Sequence, residues 1–181
     1  MTQGRLIAVV GPSGVGKDSV MAGILEALPH MCLVRRVITR APELGGEDYD
    51  AVSEGEFEAR AASGAFAVHW AAHGLYYGIP FAVNEQLDKG TDCLVNLSRK
   101  ALVEAATIFP RFTVLNITAK RDTLAQRLAT RGRETDEEIT KRQAQASKPL
   151  PDGLDVLQVS NDGRLSQTIA RAAALLQPVS S

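Results

Sequence analysis

Short apolar runs alternate with longer segments of helical spacing along most of this chain. The apolar runs predict strands over Arg5–Val10, Cys32–Ile38, Cys93–Leu97, Phe112–Ile117 and Asp155–Ser160. The helical spacing predicts helices over Lys17–Leu28, Arg99–Ile108, Arg121–Thr130, Asp136–Ser147 and Leu165–Leu176. Because alternating strands and helices are joined by right-handed crossovers, the pattern predicts an α/β fold with a mostly parallel sheet covered on both faces.

The segment from Thr39 to about Leu87 breaks this alternation. It is rich in glycine, aromatic residues, histidine and charge, and it shows no simple strand–helix unit. A loop of that length is uncommon in a compact domain, so we predict an inserted subdomain that receives a second substrate. Two capping boxes predict helix starts, namely Ser53 with Glu56 and Thr135 with Glu138.

Composition and charge limit the classes of protein that fit. The chain has 181 residues, 45% of them hydrophobic and 23% charged, which predicts one soluble globular domain. A net charge of −1 predicts neither a nucleic-acid footprint nor an anionic membrane footprint. Cys32 and Cys93 lie far apart in the sequence, each within an apolar run, which favours reduced, buried thiols over a disulfide framework. No apolar run approaches about 20 residues, and the start lacks a signal-peptide pattern, so we expect a cytoplasmic protein.

The stretch GPSGVGKDS, residues 11–19, follows the first predicted strand and opens the first predicted helix. Glycine-rich loops at this place cradle phosphates with backbone N–H groups, and the lysine reaches the β- and γ-phosphates. The phosphate-binding residues predicted from the motif are Gly11, Pro12, Ser13, Gly14, Val15, Gly16, Lys17, Asp18 and Ser19.

Asp18 occupies the position where this motif ordinarily carries a hydroxyl ligand of Mg²⁺. A carboxylate is also a hard oxygen ligand, so Asp18 is a candidate metal ligand, either directly or through water. The alternative is that Asp18 complements the positive end of the helix while Ser19 or a water serves the metal.

The motif GPSGVGK and several later elements resemble the guanylate kinase family of P-loop proteins. The later elements are Thr39, Arg40 and Pro42; GGEDYDAVS; FAVHW; YYGIP; Arg127, Leu128, Arg131 and Gly132; and Asn161 with Asp162. The resemblance implies a three-layer P-loop fold with an acceptor-binding insertion, a lid and phosphoryl-transfer chemistry. It places the core in residues 1–38 and 88–181, the insertion at about 39–87 and the lid at about 127–142 of a single domain.

The departures from that family lie where guanine and its phosphate would be recognised. The residues that differ from the family pattern are Glu43, His69, Ile79, Asn96 and Ser98. A site that hydrogen-bonds a base can discriminate by up to about 10⁴–10⁵ through such groups, so their joint loss argues against GMP.

The combination of GKDS, GGEDY, HW, HGLYYGIP and RGRE closely resembles the ribose 1,5-bisphosphate phosphokinases. That resemblance implies transfer from ATP, with Mg²⁺, to ribose 1,5-bisphosphate, giving 5-phosphoribosyl 1-diphosphate (PRPP) in the carbon–phosphorus lyase pathway of phosphonate use. The acceptor has no base but two phosphates, which require cations and hydroxyl donors. The resemblance places Arg40, Tyr49 and Tyr77 at the family's phosphate-contact positions and matches Arg142 to a further family arginine. His69 and His73 are candidate donors to the acceptor nearby, and the alternative is that they are structural.

Arg127 and Arg131 lie one helical turn apart, and Arg133 follows Gly132. This pattern predicts a lid that carries cations over the transferring phosphoryl group, where a well-placed arginine is worth about 10³–10⁵ in rate. We therefore predict catalytic roles for Lys17, Arg127 and Arg131. The alternative functions are a guanylate kinase with altered base contacts and a guanylate kinase-like binding module without catalysis. The partner expected is a small phosphorylated ribose, and oligomeric state stays open.

Overall fold

The protein was analysed as a computed structural model that describes residues 3–12, 15–40, 49–72, 74–131 and 150–177. Within these ranges the strands are β1 (Leu6–Val10), β2 (Cys32–Leu33), β3 (Val37–Ile38), β4 (Asp50–Ala51), β5 (Phe66–Ala72), β6 (Leu75–Pro80), β7 (Cys93–Asn96), β8 (Phe112–Thr118) and β9 (Val156–Ser160). The helices are α1 (Lys17–Ala27), α2 (Glu54–Ala62), α3 (Val83–Asp88), α4 (Leu102–Ile108), α5 (Arg121–Arg131) and α6 (Leu165–Leu176), with a 3₁₀ turn at Arg99–Ala101.

A five-stranded sheet has the strand order β2-β7-β1-β8-β9. Strand β2 runs parallel to β7, and β8 runs parallel to β9. All five residues of β1 are buried, as expected of a strand whose two faces are both covered. The predicted α/β class with a mostly parallel sheet is confirmed.

A second sheet has four strands in the order β4-β3-β6-β5. Strands β3 and β4 are parallel, whereas β6 is antiparallel to both β3 and β5. This sheet and α2 occupy most of the segment in which the strand–helix alternation fails, and its short hairpin-like strands explain why no βα pattern appears there.

The predicted strand Cys32–Ile38 is wrong in its extent, because two strands in different sheets replace it. The backbone N–H of Val34 still donates to β7, whereas the carbonyl of Arg36 already accepts from β4. A continuous apolar run indicates that a segment is buried but not which strand it pairs with. The change from one sheet to the other was therefore not visible in the hydrophobic pattern.

The predicted helices that fall within the described residues are present. Ser53 caps α2, with its hydroxyl accepting from the N–H of Glu56 at 3.1 Å, which confirms that helix start. The predicted helix Arg99–Ile108 begins with the 3₁₀ turn before α4. The predicted helix Asp136–Ser147 and the capping box of Thr135 with Glu138 lie outside the described residues.

Two compact units make up the chain, each with its own buried apolar residues. The first unit is Met1–Ala8 with His30–Thr113, and the second is Val9–Pro29 with Val114–Ser181. Fully buried side chains of the first unit include Ile38, Ile79, Leu87, Leu94 and Leu102, and those of the second include Ile24, Leu115, Ile117 and Leu176. No helix in the described ranges is both long and apolar enough to cross a bilayer.

Gly23 yields a prediction about how α1 packs against α6. A Cβ at Gly23 would lie 2.2 Å from Cδ1 and 2.6 Å from Cγ1 of Ile169. We expect Gly23→Ala to lower the free energy of unfolding by about 1–3 kcal/mol through overpacking, despite alanine's better helix propensity. Urea unfolding measures this effect, and adding Ile169→Ala should recover part of the loss.

The matched control is Gly55→Ala in α2, where an added Cβ meets no atom within 4 Å. That change should leave stability unchanged or raise it by up to about 1 kcal/mol. A gain in stability from Gly23→Ala alone would contradict the tight packing of the two helices.

Candidate functional site

The predicted phosphate-binding loop joins β1 to α1. Gly16 has φ 89° and ψ 32°, a left-handed backbone that glycine adopts readily, immediately before α1 begins at Lys17. Its backbone therefore turns into the helix at a residue where another side chain would be strained. Ser13 and Gly14, also predicted to bind phosphate, lie outside the described residues.

Gly11 meets a different requirement, which is close approach of the backbone. A Cβ at Gly11 would lie 2.7 Å from the carbonyl oxygen of Ile117 and 2.9 Å from Cγ1 of Val15. Pro12 follows, and its carbonyl accepts from the N–H of Val15 at 3.2 Å. Gly11 is thus favoured because there is no room for a side chain, and Gly16 because its φ is positive.

The carbonyl oxygen of Val15 is the point at which the rest of the second unit holds the loop. Asn161 Nδ2 donates to it at 2.8 Å, and Arg127 Nη1 donates to it at 3.3 Å. Arg127 Nη2 also donates to the carbonyl of Asn161 at 2.7 Å. The hydroxyl of Thr168 donates to Asn161 Oδ1 at 2.8 Å, which fixes the orientation of the amide. We call Arg127, Asn161 and Thr168 the loop-support cluster.

Asp162 fixes the position of this cluster. Its carboxylate accepts from the N–H of Lys120 at 2.7 Å and from the hydroxyl of Ser160 at 2.7 Å. These hydrogen bonds, the one from Lys120 foremost, hold the pKa of Asp162 below its ordinary value. The carboxylate therefore links Lys120, the residue before α5, to Ser160, the last residue of β9. Arg127 lies on α5, and Asn161 directly follows β9.

The first turn of α1 presents polar groups next to the loop. Lys17 is half-buried, and Asp18 and Ser19 are exposed. The N–H groups and positive end of an 11-residue helix favour an anion here. Within the described ranges, no three or more histidine, cysteine, aspartate or glutamate residues cluster as a metal site.

The two predicted lid arginines are only partly covered by the structure. Arg127 lies on α5 and donates to the backbone carbonyls of Val15 and Asn161. Arg131 is the last residue of α5. Their roles in phosphoryl transfer stay predictions, and Arg142 lies outside the described residues.

In the first unit, the four-stranded sheet gathers arginines and aromatic rings on one face. Tyr77 is paired with Ile38 of β3 and with Trp70 of β5, and directly paired residues point to the same face. Arg36 belongs to that face because its guanidinium contacts the Tyr77 ring. Beyond β3, Arg40 contacts Tyr49, the residue before β4. We call the face that carries Arg36, Arg40, Tyr49, Trp70 and Tyr77 the arginine face.

Two contacts define the part of the arginine face around Arg40. Its Nε donates to the hydroxyl of Tyr49 at 3.2 Å, and its guanidinium carbon lies 4.6 Å from the centre of the Tyr49 ring. Both side chains are half-buried. A guanidinium held in this way keeps its planar set of donors oriented, which suits the bidentate recognition of phosphate.

A stack of three side chains forms the other part of the arginine face. The guanidinium carbon of Arg36 lies 5.1 Å from the centre of the Tyr77 ring, and Tyr77 stacks on Trp70 at 5.4 Å with an interplanar angle of 8°. Trp70 Nε1 donates to Ser98 Oγ at 3.0 Å. Next to Ser98, burial lowers the pKa of the Arg99 guanidinium. The stack is thus fixed at both ends, by β3 and by the residues after β7.

Among the predicted acceptor residues that the structure describes, His69 lies apart from Arg40, Tyr49 and Tyr77. His69 is paired with Gly78, one residue away from the Trp70–Tyr77 pair, and so lies on the opposite face of the sheet. Its ring lies 6.2 Å from that of Phe57 on α2 and 6.0 Å from that of Phe66. His73 lies outside the described residues.

Sequence reasoning gave no role to three residues that hold this geometry. Asn161 belonged to a recognised motif, but its contact with Val15 spans 146 positions and follows no local spacing. Thr168 carried no signal, because a threonine in a helix is ordinary. The contact of Arg36 with the Tyr77 ring follows from the pairing of β3 with β6, which no local spacing predicts.

Comparisons with known proteins agree with these features. The chain matches the guanylate kinase family over residues 3–176. It is 52% identical over 176 residues to a ribose 1,5-bisphosphate phosphokinase of Ruegeria sp. (strain TM1040), covering 97% of this chain and 93% of that protein. It is 43% identical over 183 residues to a ribose 1,5-bisphosphate phosphokinase of Agrobacterium fabrum (strain C58), covering 96% of this chain and 100% of that protein.

Among solved structures, a guanylate kinase from Anaplasma phagocytophilum is similar, with a TM-score of 0.75 and 19% sequence identity. The match covers 97% of this chain and 85% of that one. At this level of identity the likeness concerns the fold.

The loop-support cluster yields a prediction about stability. Asn161 is 5% exposed and Thr168 is fully buried. Thr168→Val leaves Asn161 Oδ1 without its buried donor, and Asn161→Ala removes the shorter of the two hydrogen bonds to the Val15 carbonyl. We expect Asn161→Ala and Thr168→Val each to lower the free energy of unfolding by about 1–3 kcal/mol. Because Thr168 acts through Asn161, the double variant should lose less than the sum of the single variants.

Urea unfolding of the two single variants and the double variant measures this coupling. Thr107→Val serves as the matched control, since the exposed Thr107 hydroxyl donates to the backbone carbonyl of Glu104 in the same helix, α4. That control should change stability by no more than about 0.5 kcal/mol. Strict additivity of the two buried substitutions would rule out the chain of hydrogen bonds.

Proposed function

This chain belongs to the guanylate kinase family, in its group of ribose 1,5-bisphosphate phosphokinases, and we propose that it transfers the γ-phosphoryl group of ATP to ribose 1,5-bisphosphate. The products are ADP and PRPP. The observation that carries this proposal is the 52% identity to a named ribose 1,5-bisphosphate phosphokinase over 97% of the chain. The arginine face, which offers cations and hydroxyls to an acceptor that has phosphates and no base, supports it.

The proposed donor site is the loop of the second unit together with the first turn of α1. Gly11 and Gly16 allow the backbone to surround a polyphosphate, and Lys17 begins the helix beside it. The loop-support cluster holds the Val15 carbonyl away from the bound anion by engaging it in hydrogen bonds. Fixing this carbonyl also orients the peptide N–H of Gly16 ahead of phosphate binding.

We propose that Mg²⁺ accompanies ATP, as is usual for phosphoryl transfer, and neutralises charge on the β- and γ-phosphates. The described groups that fit such an ion are the carboxylate of Asp18 and the hydroxyl of Ser19, both exposed in the first turn of α1. Mg²⁺ in kinases keeps several waters and relies on substrate phosphates, so one or two protein oxygens suffice.

The proposed acceptor site uses Arg40, Tyr49 and Tyr77 of the arginine face, the family's phosphate-contact positions. Transfer forms a bond between an oxygen of the acceptor's 1-phosphate and the γ-phosphorus, and it breaks the bond from that phosphorus to the β–γ bridging oxygen. The electron pair of the broken bond leaves with ADP. The transition state is loose, so the protein contributes mainly orientation and positive charge. We assign Arg127 and Arg131 to that charge on the donor side.

Guanylate kinase activity is the second candidate, and the residues at the base-recognition positions speak against it. The hydroxyl of Ser98 accepts from Trp70, and His69 lies among the aromatic rings of the opposite face. Neither residue supplies the carboxylate that the family uses for guanine. A binding module without catalysis is also disfavoured, because the phosphate-binding motif keeps its glycines and Lys17.

A side-by-side assay of two acceptors tests the proposed function. ADP release with ATP should be fast with ribose 1,5-bisphosphate and at least about 100-fold slower in kcat/KM with GMP, since the site lacks the groups that recognise guanine. Lys17→Ala should abolish both reactions without unfolding the protein, and Lys89→Ala, an exposed lysine after α3, is the control. Preference for GMP would overturn the proposal.

Asp18 yields a separate prediction about the metal. If its carboxylate helps to hold Mg²⁺, Asp18→Asn should raise the Mg²⁺ concentration needed for half-maximal rate and be partly rescued by excess metal. Asp18→Ser should be milder than Asp18→Ala, because a hydroxyl is also an adequate ligand. The measurement is initial rate against Mg²⁺ concentration for all four proteins.

If Asp18 acts only at the positive end of α1, the amide should replace it with little loss, since asparagine and aspartate stabilise a helix start about equally. Superimposable Mg²⁺ curves for the wild type and Asp18→Asn would therefore exclude the carboxylate as a metal ligand.

A further inference from the structure

The two cysteines of the chain are far apart in sequence but lie next to each other in the first unit. Cys32 begins β2 and Cys93 begins β7, and the two residues are direct partners in the parallel pairing of these strands. Directly paired residues project to the same face of a sheet, and neighbouring strands are about 4.8 Å apart. A disulfide joins residues whose Cα atoms are about 4.4–6.8 Å apart. The fold therefore brings the two thiols to a separation at which they can be bonded.

The surroundings of the two thiols differ. Cys32 is half-buried, whereas Cys93 is fully buried, and both are free thiols. Burial, followed by the neighbouring thiol of Cys32 and the carboxylate of Asp92, raises the pKa of the Cys93 thiol to about 12. Cys93 therefore stays protonated near neutral pH, and it is the thiolate that attacks in sulfur chemistry. Of the two, Cys32 is the thiol that a soluble reagent meets first.

Strand β2 is the element that a bond between these thiols would fasten. It has two residues, lies at the edge of the five-stranded sheet, and leaves Leu33 40% exposed. The N–H of Cys32 donates to the carbonyl of Asp92, and the N–H of Val34 donates to the carbonyl of Leu94, each at 2.9 Å. A short edge strand with an exposed apolar residue opens more readily than a strand in the middle of a sheet.

Strand β7, by contrast, is held on its other side by the residue before β1. The N–H of Cys93 donates to the carbonyl of Arg5 at 2.9 Å, and the guanidinium of Arg5 forms an ion pair with Asp92 at 2.9 Å. The two side chains of this ion pair are only 18% and 11% exposed. A bond from Cys93 to Cys32 would thus join an edge strand to one that is held on both sides.

We propose that Cys32 and Cys93 form a reversible dithiol–disulfide couple that fastens β2 to β7 on reaction with a small-molecule disulfide. The thiolate of Cys32 attacks one sulfur of this oxidant and expels the other half as a thiolate, which leaves a mixed disulfide on Cys32. Cys93 then loses its proton to solvent and attacks Cys32 Sγ, which forms the bond between the two protein sulfurs and expels the second half of the oxidant. The protein loses two hydrogens and two electrons, and the oxidant becomes two thiols. The couple is independent of the proposed phosphoryl transfer.

Intact mass after reaction with glutathione disulfide tests the couple. The folded wild type should lose the mass of two hydrogens with little glutathione adduct, because the adjacent Cys93 closes the bond. In denaturing urea the two thiols are held only by a chain of about 60 residues, so the glutathione adduct should accumulate. Since the chain has two cysteines, a monomer that has lost two hydrogens contains this disulfide. Dithiothreitol should restore the original mass.

Single substitutions test the order of attack. Cys93→Ala should stop with one glutathione on Cys32, whereas Cys32→Ser should stay largely unmodified because Cys93 is buried and protonated. Reaction of Cys32→Ser at Cys93 as fast as that of the wild type overturns this order. Should Cys93→Ala fail to fold, brief alkylation of the reduced wild type with iodoacetamide decides the same point, since peptide mapping should find the label on Cys32 before Cys93.

Backbone hydrogen exchange measures what the bond does to β2. Oxidation of the wild type should slow exchange of the Val34 N–H at least about 10-fold, because β2 can no longer open by itself. The N–H of Phe57, which donates to the carbonyl of Ser53 in α2, should exchange as before. The same oxidant should slow neither N–H in Cys32→Ser.

Three results overturn the proposal. The folded protein fails to form the bond although the unfolded chain forms it, which means that the fold holds the thiols apart. The oxidant instead links Cys32 of one chain to Cys32 of another, which doubles the mass. The internal bond forms but the Val34 N–H exchanges at its former rate, which means that the bond does not fasten β2.

Discussion

The pair of hydrogen bonds to the Val15 carbonyl is the interaction on which the phosphate-binding loop depends. A loop that turns its N–H groups towards an anion must turn carbonyl groups towards the protein, and buried carbonyls need donors. Asn161 and Arg127 supply them from positions 146 and 112 residues away. Because Gly16 follows Val15, fixing this carbonyl also fixes the peptide that leads into α1. The conformation of the loop therefore depends on α5 and on the residue after β9, as well as on the loop sequence itself.

The two faces of the four-stranded sheet carry different sets of side chains. On the face towards α2, the rings of Phe66 and Tyr76 pack against Phe57 of α2, with His69 beside them. The arginine face holds cations with their stacking partners. Gly78 is needed on the α2 side because the ring of Phe66 lies where a Cβ would project, at 2.6 Å. The arginine face is the more deeply buried of the two around Tyr77, since Ile38, Trp70 and Tyr77 are at most 7% exposed, whereas His69 and Tyr76 on the α2 side are exposed.

The regular elements were predictable because each follows from a local pattern. Strand β1, helix α1 and the cap at Ser53 came directly from apolar runs, helical spacing and a capping box. The phosphate-binding loop was predictable for the same reason, since its glycines are constrained by the backbone. The break between β2 and β3 was not predictable, because pairing with a different sheet changes no residue type. The support that Thr168 gives Asn161 also depends on folding, which brings β9 and α6 to the loop.

Recognition through cations raises a difficulty that recognition of a base does not. A site that hydrogen-bonds a base rejects analogues because unmatched polar groups stay buried and unsatisfied. A cation attracts any phosphate, so charge alone gives affinity with little selectivity. Selectivity then has to come from where the guanidiniums are held and how little they can move. Stacking each on a tyrosine ring restricts that movement, and the hydrogen bond from Trp70 to Ser98 extends the restriction into the body of the first unit. In the proposed acceptor site, Trp70 and Ser98 would thus restrict the position of the Tyr77 ring without contacting the acceptor themselves.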